Sequence, residues 1–312
     1  MKKILVLLIF CAVTLYLLSL LYKKLDKYDG DCTQKFKEVP TQIEIANVGS
    51  SHGMYGFCYD EMSEYTCYNF GLTSQSLDYD YRILQQYQDH LKEGGTMFIV
   101  VSYWSLYGQD ESERDDFISK NQRYYKFLSP QYIKKWSLEQ ELLVDVFAVM
   151  GTKDNVIYDL ATGEERGKIH TELWENNLIN TEPEAILARA EATYTRHMDY
   201  ITNDSGELII NENNLEALYG IIELCNEKNI EPILVTTPYR MEYVEQYREN
   251  SPTVLEDFYS LMDEITEKTG AVYYDYSCDM RFAEEPEYFF DVDHLNKEGA
   301  VKFTEIITES YR

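Results

Sequence analysis

The sequence predicts an α/β protein in which a parallel sheet carries helices on both faces, and three observations lead there. Short apolar segments at 43–48, 96–101, 232–236 and 271–274 alternate with longer stretches of helical periodicity. Strand and helix in turn is the pattern of parallel strands joined by crossovers, since a parallel pair cannot be closed by a two-residue turn. Finally, Ser51 and Ser102 directly follow strand ends, where such sheets gather their ligand-binding groups.

The elements follow in order. No charge separates Lys3 from Lys23, and residues 4–22 are mostly apolar; as a helix they reach ~28 Å against a hydrocarbon core of ~30 Å. Residues 17–22 are bulky and offer no small-residue cleavage site, and Phe10 argues against lipoprotein processing at Cys11, so 1–23 is expected to stay as a transmembrane anchor. Lys2 and Lys3 on one side and Lys23, Lys24 and Lys27 on the other nearly balance; the short amino-terminal tail favours a cytoplasmic amino end, with the bulk of the chain outside. A linker at 24–40 leads into a domain at 41–312. Residues 43–48 alternate apolar and polar and stop at Gly49, as a strand entering a tight turn does. A shorter strand ends at Tyr68-Asn69, and helices are expected over 76–91, 130–149, 183–201, 213–228, 254–268 and 297–310. The gap between the strands ending at 101 and starting at 232 exceeds what one crossover needs, so an insertion is expected at about 103–211, roofing the pocket and selecting the substrate.

Composition bounds the partners. With 55 acidic and 28 basic residues the net charge is −27, which opposes nucleic acid or a naked polyanion and favours neutral glycans or small acyl donors. Among 28 tyrosines, Tyr107, Tyr124, Tyr125 and the pair Tyr103-Trp104 offer stacking platforms for sugars, unless they are half-buried with satisfied hydroxyls. Five cysteines lie beyond the anchor, an odd number; Cys58 and Cys67 are the nearest pair able to close a loop, and Cys225 suits a buried apolar position. His90, His170 and His197 lack ligand partners at helical spacing and are expected at the surface. Asn203-Asp204-Ser205 matches a glycosylation sequon, a pattern frequent by chance.

Two short runs carry the chemistry: Gly49-Ser50-Ser51-His52, and Asp291-Val292-Asp293-His294-Leu295-Asn296-Lys297. A nucleophilic serine needs a base within hydrogen-bond reach and an acid that fixes the base's tautomer, and the fold can assemble the three from distant segments. Each run also has a plain structural use, as Ser50 or Ser51 can cap a helix and Asn296 can cap the last one. Their order and placement resemble the SGNH/GDSL hydrolase superfamily, whose nucleophile follows the first strand and whose Asp and His share a D-x-x-H motif before the last helix. Ser50 stands where the family usually has Asp, a departure shared by its membrane-anchored branch, which includes the D-alanyl-teichoic-acid biosynthesis D protein and the alginate O-acetylation proteins.

The resemblance implies a flavodoxin-like three-layer fold with Ser51 as nucleophile, His294 as general base and Asp291 as the residue orienting it. It implies oxyanion donors at the Ser51 amide and at Gly71, in the block Tyr68-Asn69-Phe70-Gly71-Leu72. The family's third block, Gly-x-Asn-Asp, is replaced by Ser102-Tyr103-Trp104, so Ser102 or a backbone group must serve; one lost donor costs about 100-fold to 1000-fold in rate. Slow acyl transfer suits such a hole better than vigorous hydrolysis. His52, with Asp291, Asp293 and His294, also has the residue types of a metal site, but neighbours in a turn point apart, so His52 is expected in the pocket wall. No metal and no cofactor are expected. The expected activity is transfer or removal of an acyl group, acetyl above all, on a cell-surface or secreted carbohydrate. The resemblance implies a membrane-bound O-acyltransferase as partner. A weakly catalytic scaffold or glycan-binding module is the alternative, and a lipase-like esterase a further one.

Overall fold

In the computed structural model, residues 2–24, 32–151, 182–203 and 205–310 are described, and each predicted strand forms. The strands β1 (Ile43–Val48), β2 (Cys67–Asn69), β3 (Leu91–Val100), β4 (Glu231–Thr236) and β5 (Val272–Asp275) make one parallel sheet in the order β2-β1-β3-β4-β5. The chain is thus the α/β protein its periodicity predicts. β3 starts five residues before the predicted 96, because Gly94, at φ 77°, turns its amide onto Asn229 O (2.8 Å) and lets Leu91 pair with Ile43 across a register shift.

Helices α1 (Lys2–Tyr22), α2 (Ser51–Gly56), α3 (Leu77–Tyr87), α4 (Pro183–Ile201), α5 (Glu212–Glu227), α6 (Met241–Asn250), α7 (Pro252–Thr269) and α8 (Lys297–Glu309) supply the rest of the frame. Side-chain caps start several of them: Ser76 for α3, Asn211 for α5 and Asn296 for α8. Ile45, Phe98, Val100, Ile233 and Val235 form one sheet face and pack with Phe303 and Ile307 of α8, while α3 pairs with α5.

The helix expected over 130–149 does not form as one piece. Pro130–Tyr132 is a 3₁₀ turn, Lys135 takes a positive φ of 49°, and Ser137 caps a fresh start whose residues Leu142–Val146 widen into a π turn. Helix α6, not foreseen, buries Tyr243, Val244 and Tyr247. Cys58 forms no disulfide and so closes no loop with Cys67, while Cys225 is fully buried as expected.

The described residues fall into two units. One draws on 1–38 and 114–172: it holds α1 and the 3₁₀ turns Thr33–Glu38, whose Phe36 stacks on Phe127 at 4.0 Å. Tyr124 and Tyr125 are buried within it and offer no face to a sugar. The other, 39–113 and 173–312, contains the sheet and the candidate site. His170 lies outside the described residues.

Candidate active site

At the end of β1 the chain must turn sharply into α2. Gly49 does this at φ 142°, where a Cβ would stand 2.8 Å from Val100 Cβ, so the position is closed to other residues on both conformational and steric grounds. Its amide donates to the buried Asp80 (2.9 Å), and Gln75 Nε2 bonds the same carboxylate oxygen (2.5 Å). Ser50 caps α2 by accepting from the His52 amide, which leaves Ser51 as the first helical residue, half-buried. The far side of α2 is pinned by Asn69, whose Nδ2 donates to the carbonyls of Gly53, Met54 and Phe57. Neither Asp80 nor Asn69 had a sequence signal, because each serves backbone groups from a distant segment.

The loop before α8 brings the second run to this turn. Asp291 Oδ1 accepts from the amides of Asp293 (3.1 Å) and His294 (2.9 Å), folding the loop around its own carboxylate. The same carboxylate lies 2.9 Å from His294 Nδ1, and His294 Nε2 lies 2.8 Å from Ser51 Oγ. The fold thus aligns Asp291, His294 and Ser51 in one hydrogen-bonded line. Arg189 of α4 stands 3.8 Å from the other Asp291 oxygen, and the Tyr55 ring meets His294 edge-on at 5.3 Å.

A second carboxylate changes the electrostatics. Asp293 Oδ1 is 3.3 Å from the same His294 Nδ1, yet has no hydrogen bond, because the single Nδ1 proton points at Asp291. Burial works against charge on His294, but Asp291 and then Asp293 outweigh it and raise the imidazole to about 10. For Asp293, burial is outweighed by the charge of His294 and by the charge and hydrogen bond of His52, which hold it well below the usual carboxylate range.

His52 reaches the same loop, but at 1% exposure it is buried among supporting groups and is not part of a substrate-facing pocket wall. Its Nε2 lies 3.1 Å from Asp293 Oδ2, its Nδ1 2.6 Å from Ser102 Oγ and 3.0 Å from Tyr239 OH, and its ring centre is 4.9 Å from that of His294. Burial lowers its pKa, so it stays neutral, donating from Nε2 to Asp293 and accepting at Nδ1. Ligand atoms of His52, Asp293 and His294 lie within 4.8 Å of one another, so these three side chains are the ones that could hold a cation here. An ion bound there through His294 Nδ1 would have to displace the Asp291 hydrogen bond.

The oxyanion donors are fewer than the resemblance implies. The Gly71 amide donates to Asn69 Oδ1 at 2.9 Å, in a loop so close to α2 that a Cβ on Gly71 would fall 2.6 Å from Met54 N. Ser102 departs further from its expected role: its hydroxyl is engaged with His52, and its amide donates to Ser105 Oγ (2.8 Å). Tyr103, expected to meet substrate, is 1% exposed and donates to Ser277 Oγ (2.7 Å), and Tyr107 is likewise buried. Trp104 stands beside the site, 5.4 Å from His52 and 5.1 Å from His197, with its Nε1 buried and unpartnered. His197, expected at the surface, hydrogen-bonds Tyr243 OH (2.6 Å), and burial lowers it to about 3. His90 is half-buried against Pro40 O.

Residues 161–312 match the family model described as DltD protein, a stretch just short of half the chain that holds Asp291 and His294 but not Ser51. The chain thus resembles the DltD family, as its motifs imply. No curated protein matches it. Among solved structures, a candidate acylhydrolase of Bacteroides fragilis is similar at 12% identity over 89% of this chain and 92% of its own, with a TM-score of 0.38. A Streptococcus pneumoniae protein described as a candidate platelet activating factor is similar at 13% identity over 97% and 99%, with a TM-score of 0.41.

Proposed function

We propose that this chain moves an acyl group, most simply acetyl, onto or off a cell-surface or secreted carbohydrate, through an acyl-enzyme on Ser51. The match to the DltD family supports acyl transfer in general. The observation that carries the finer reading is the line from Asp291 through His294 to Ser51, with contacts of 2.9 and 2.8 Å. Neutral His294 takes the Ser51 proton at Nε2 as Oγ attacks the acyl carbonyl; Asp291 holds the Nδ1 proton and stabilises the imidazolium that forms. The Ser51 amide, at the start of α2, faces the developing oxyanion. His294 then returns the proton to the leaving group; a sugar hydroxyl or water, deprotonated in turn by His294, takes the acyl group from Ser51, whose Oγ leaves with that proton returned by His294.

The same geometry argues for a slow enzyme. With a pKa of about 10, roughly one His294 in a thousand is neutral at pH 7. In the charged form Nε2–H donates to Ser51 Oγ and guards it. A slow site suits a protein tethered by α1 beside its acyl donor, where effective concentration replaces turnover. On this reading α1 anchors the chain with the sheet-bearing unit outside the cytoplasm, and a membrane-bound O-acyltransferase supplies the acyl group. A non-catalytic glycan-binding scaffold is the second reading, favoured by the engaged Gly71 and Ser102 donors.

Covalent labelling by a serine-directed fluorophosphonate, run at pH 9 to 10 where His294 is partly neutral, tests the first reading. Labelling of the full chain lost in Ser51→Ala and kept in Ser50→Ala supports it. Absence of labelling in the folded protein, or loss only in Ser50→Ala, rejects it.

A further inference from the structure

Helix α1 is apolar around its whole circumference: residues from Ile4 to Phe10, and Val13, Leu17 and Leu21 further along, are 51% to 67% exposed. Its 21 residues match a hydrocarbon core of ~30 Å at 1.5 Å per residue. Only its carboxyl-terminal turns are covered, at Ser19 and Tyr22. The covering segment belongs to the same unit. Val149 donates to Ser19 Oγ (3.2 Å), and Lys23 pairs with Asp145 (2.5 Å), which fixes the run 138–151 against the end of α1.

Beyond those contacts the two segments part and leave an open groove of about 630 Å³. Leu8, Cys11 and Leu15 line it from α1, and Leu138, Leu142 and Met150 line it from the opposite side. The last three are 61%, 39% and 55% exposed. Of the polar groups of the run, Asp145 is on Lys23 and Glu141 accepts from Trp136 Nε1 (2.8 Å), while the exposed Glu139 stands at the groove among apolar neighbours. An ion pair and an indole with its N–H turned to a carboxylate, beside an apolar face, form the pattern of a segment lying in a membrane interface. Whatever surrounds Leu8 to Leu15 also fills the groove, since both walls open onto the same space.

We infer that residues 136–151 lie in the lipid leaflet next to Lys23, and that the groove beside α1 holds an acyl chain of a membrane lipid. This rests on α1 spanning the bilayer. The volume falls within the range of about 300–1,000 Å³ usual for ligand sites, and the apolar lining selects by hydrophobicity rather than by headgroup. The run thus works as a foot that seats this unit on the membrane.

Depth-dependent quenching of the full chain in phosphatidylcholine vesicles tests it. The chain has 3 tryptophans, none in α1, so W136F provides a background into which one reporter is placed, W136F/L142W for the foot or W136F/L17W for the anchor. Lipids brominated at mid-chain should dim both reporters about twofold or more relative to the W136F parent, because Leu142 shares its groove with Leu8 to Leu15, about 12–22 Å along α1 from Lys23. Dimming at 17 but not at 142, in a protein whose circular dichroism matches the parent, overturns the foot and leaves the anchor standing. Dimming at neither overturns both. A position 142 shielded only in native membranes, not in pure lipid, assigns the groove to a protein partner and rejects the lipid.

Discussion

Two lines of aspartate, histidine and serine lie side by side at the carboxyl ends of the strands, and they behave as opposites. The outer one runs Asp291, His294, Ser51 and the inner one Asp293, His52, Ser102, each joined by contacts of 2.6 to 3.1 Å. His294 has two carboxylates at one nitrogen and is raised to about 10; His52 has one carboxylate, is 1% exposed, and has its pKa lowered by burial. Ser51 opens a helix and is half-buried, whereas Ser102 is 1% exposed and capped by His52 and the Tyr239 region. The same three residue types make a candidate nucleophile in one line and a buried brace in the other. Access and the number of charges around the imidazole separate them, not the residues themselves.

The largest effect that sharpens this contrast is at the two serines. Ser51→Ala should lower acyl-ester hydrolysis by about 10⁴-fold or more, while Ser102→Ala should cost less than about tenfold, since its hydroxyl serves His52, its amide serves Ser105 and Ser102 is not exposed. Equal losses in two folded variants, read by steady-state kinetics, would erase the distinction.

The two aspartates come next. Asp291→Asn leaves His294 in the wrong tautomer and should reduce the rate by about 10³-fold to 10⁴-fold. Asp293→Asn should spare most of the high-pH rate. An Asp293 variant as damaged as the Asp291 one at pH 10 would make the inner carboxylate the orienting group.

Their pH profiles should differ in a stated direction. The general base must be neutral, so the wild-type rate should climb about tenfold per unit up to a midpoint near 10. Asp293→Asn removes one of the two charges that raise His294, so its midpoint should move to lower pH and its rate at pH 7 should exceed that of the wild type. An unmoved midpoint shows that Asp293 does not govern the base.

The smallest expected effect is on stability. His294 has a folded pKa of about 10 against 6.5 unfolded, so its charge contributes stability that is fully present below about pH 6.5 and is lost as pH rises through 10. Thermal melting should show a decline from pH 7 to 10 that flattens in His294→Gln. Parallel profiles for the two proteins would assign the decline elsewhere.

Much of this was legible in the chain. The alternation at 43–48 and its break at Gly49 placed β1 and the turn; Asn296 and the periodicity after it placed α8; the two motifs singled out Ser51, Asp291 and His294. The failures share a cause. Sequence spacing cannot say that the two oxygens of Asp293 reach two histidines, His294 beside it and His52 from a segment 241 residues away. The place after β3 suggests Ser102 as an oxyanion donor and Tyr103 as a sugar platform, and only packing puts Tyr103 at 1% exposure and the Ser102 hydroxyl on His52. Helix α6 escapes a sequence reading because its three buried tyrosine and valine residues gain their meaning only against α4 and α7.

By itself the sequence determined what is local: strand and helix periods, caps, a helix apolar enough to cross a membrane, and the residue types able to do acyl chemistry, all set by interactions within a few residues. The tertiary structure alone decided which aspartate faces which imidazole, which serine is reachable, and which donors are already occupied. Charge, exposure and hydrogen-bond competition act across space, and at a distance of 3 Å they depend on neighbours that can be hundreds of residues away along the chain.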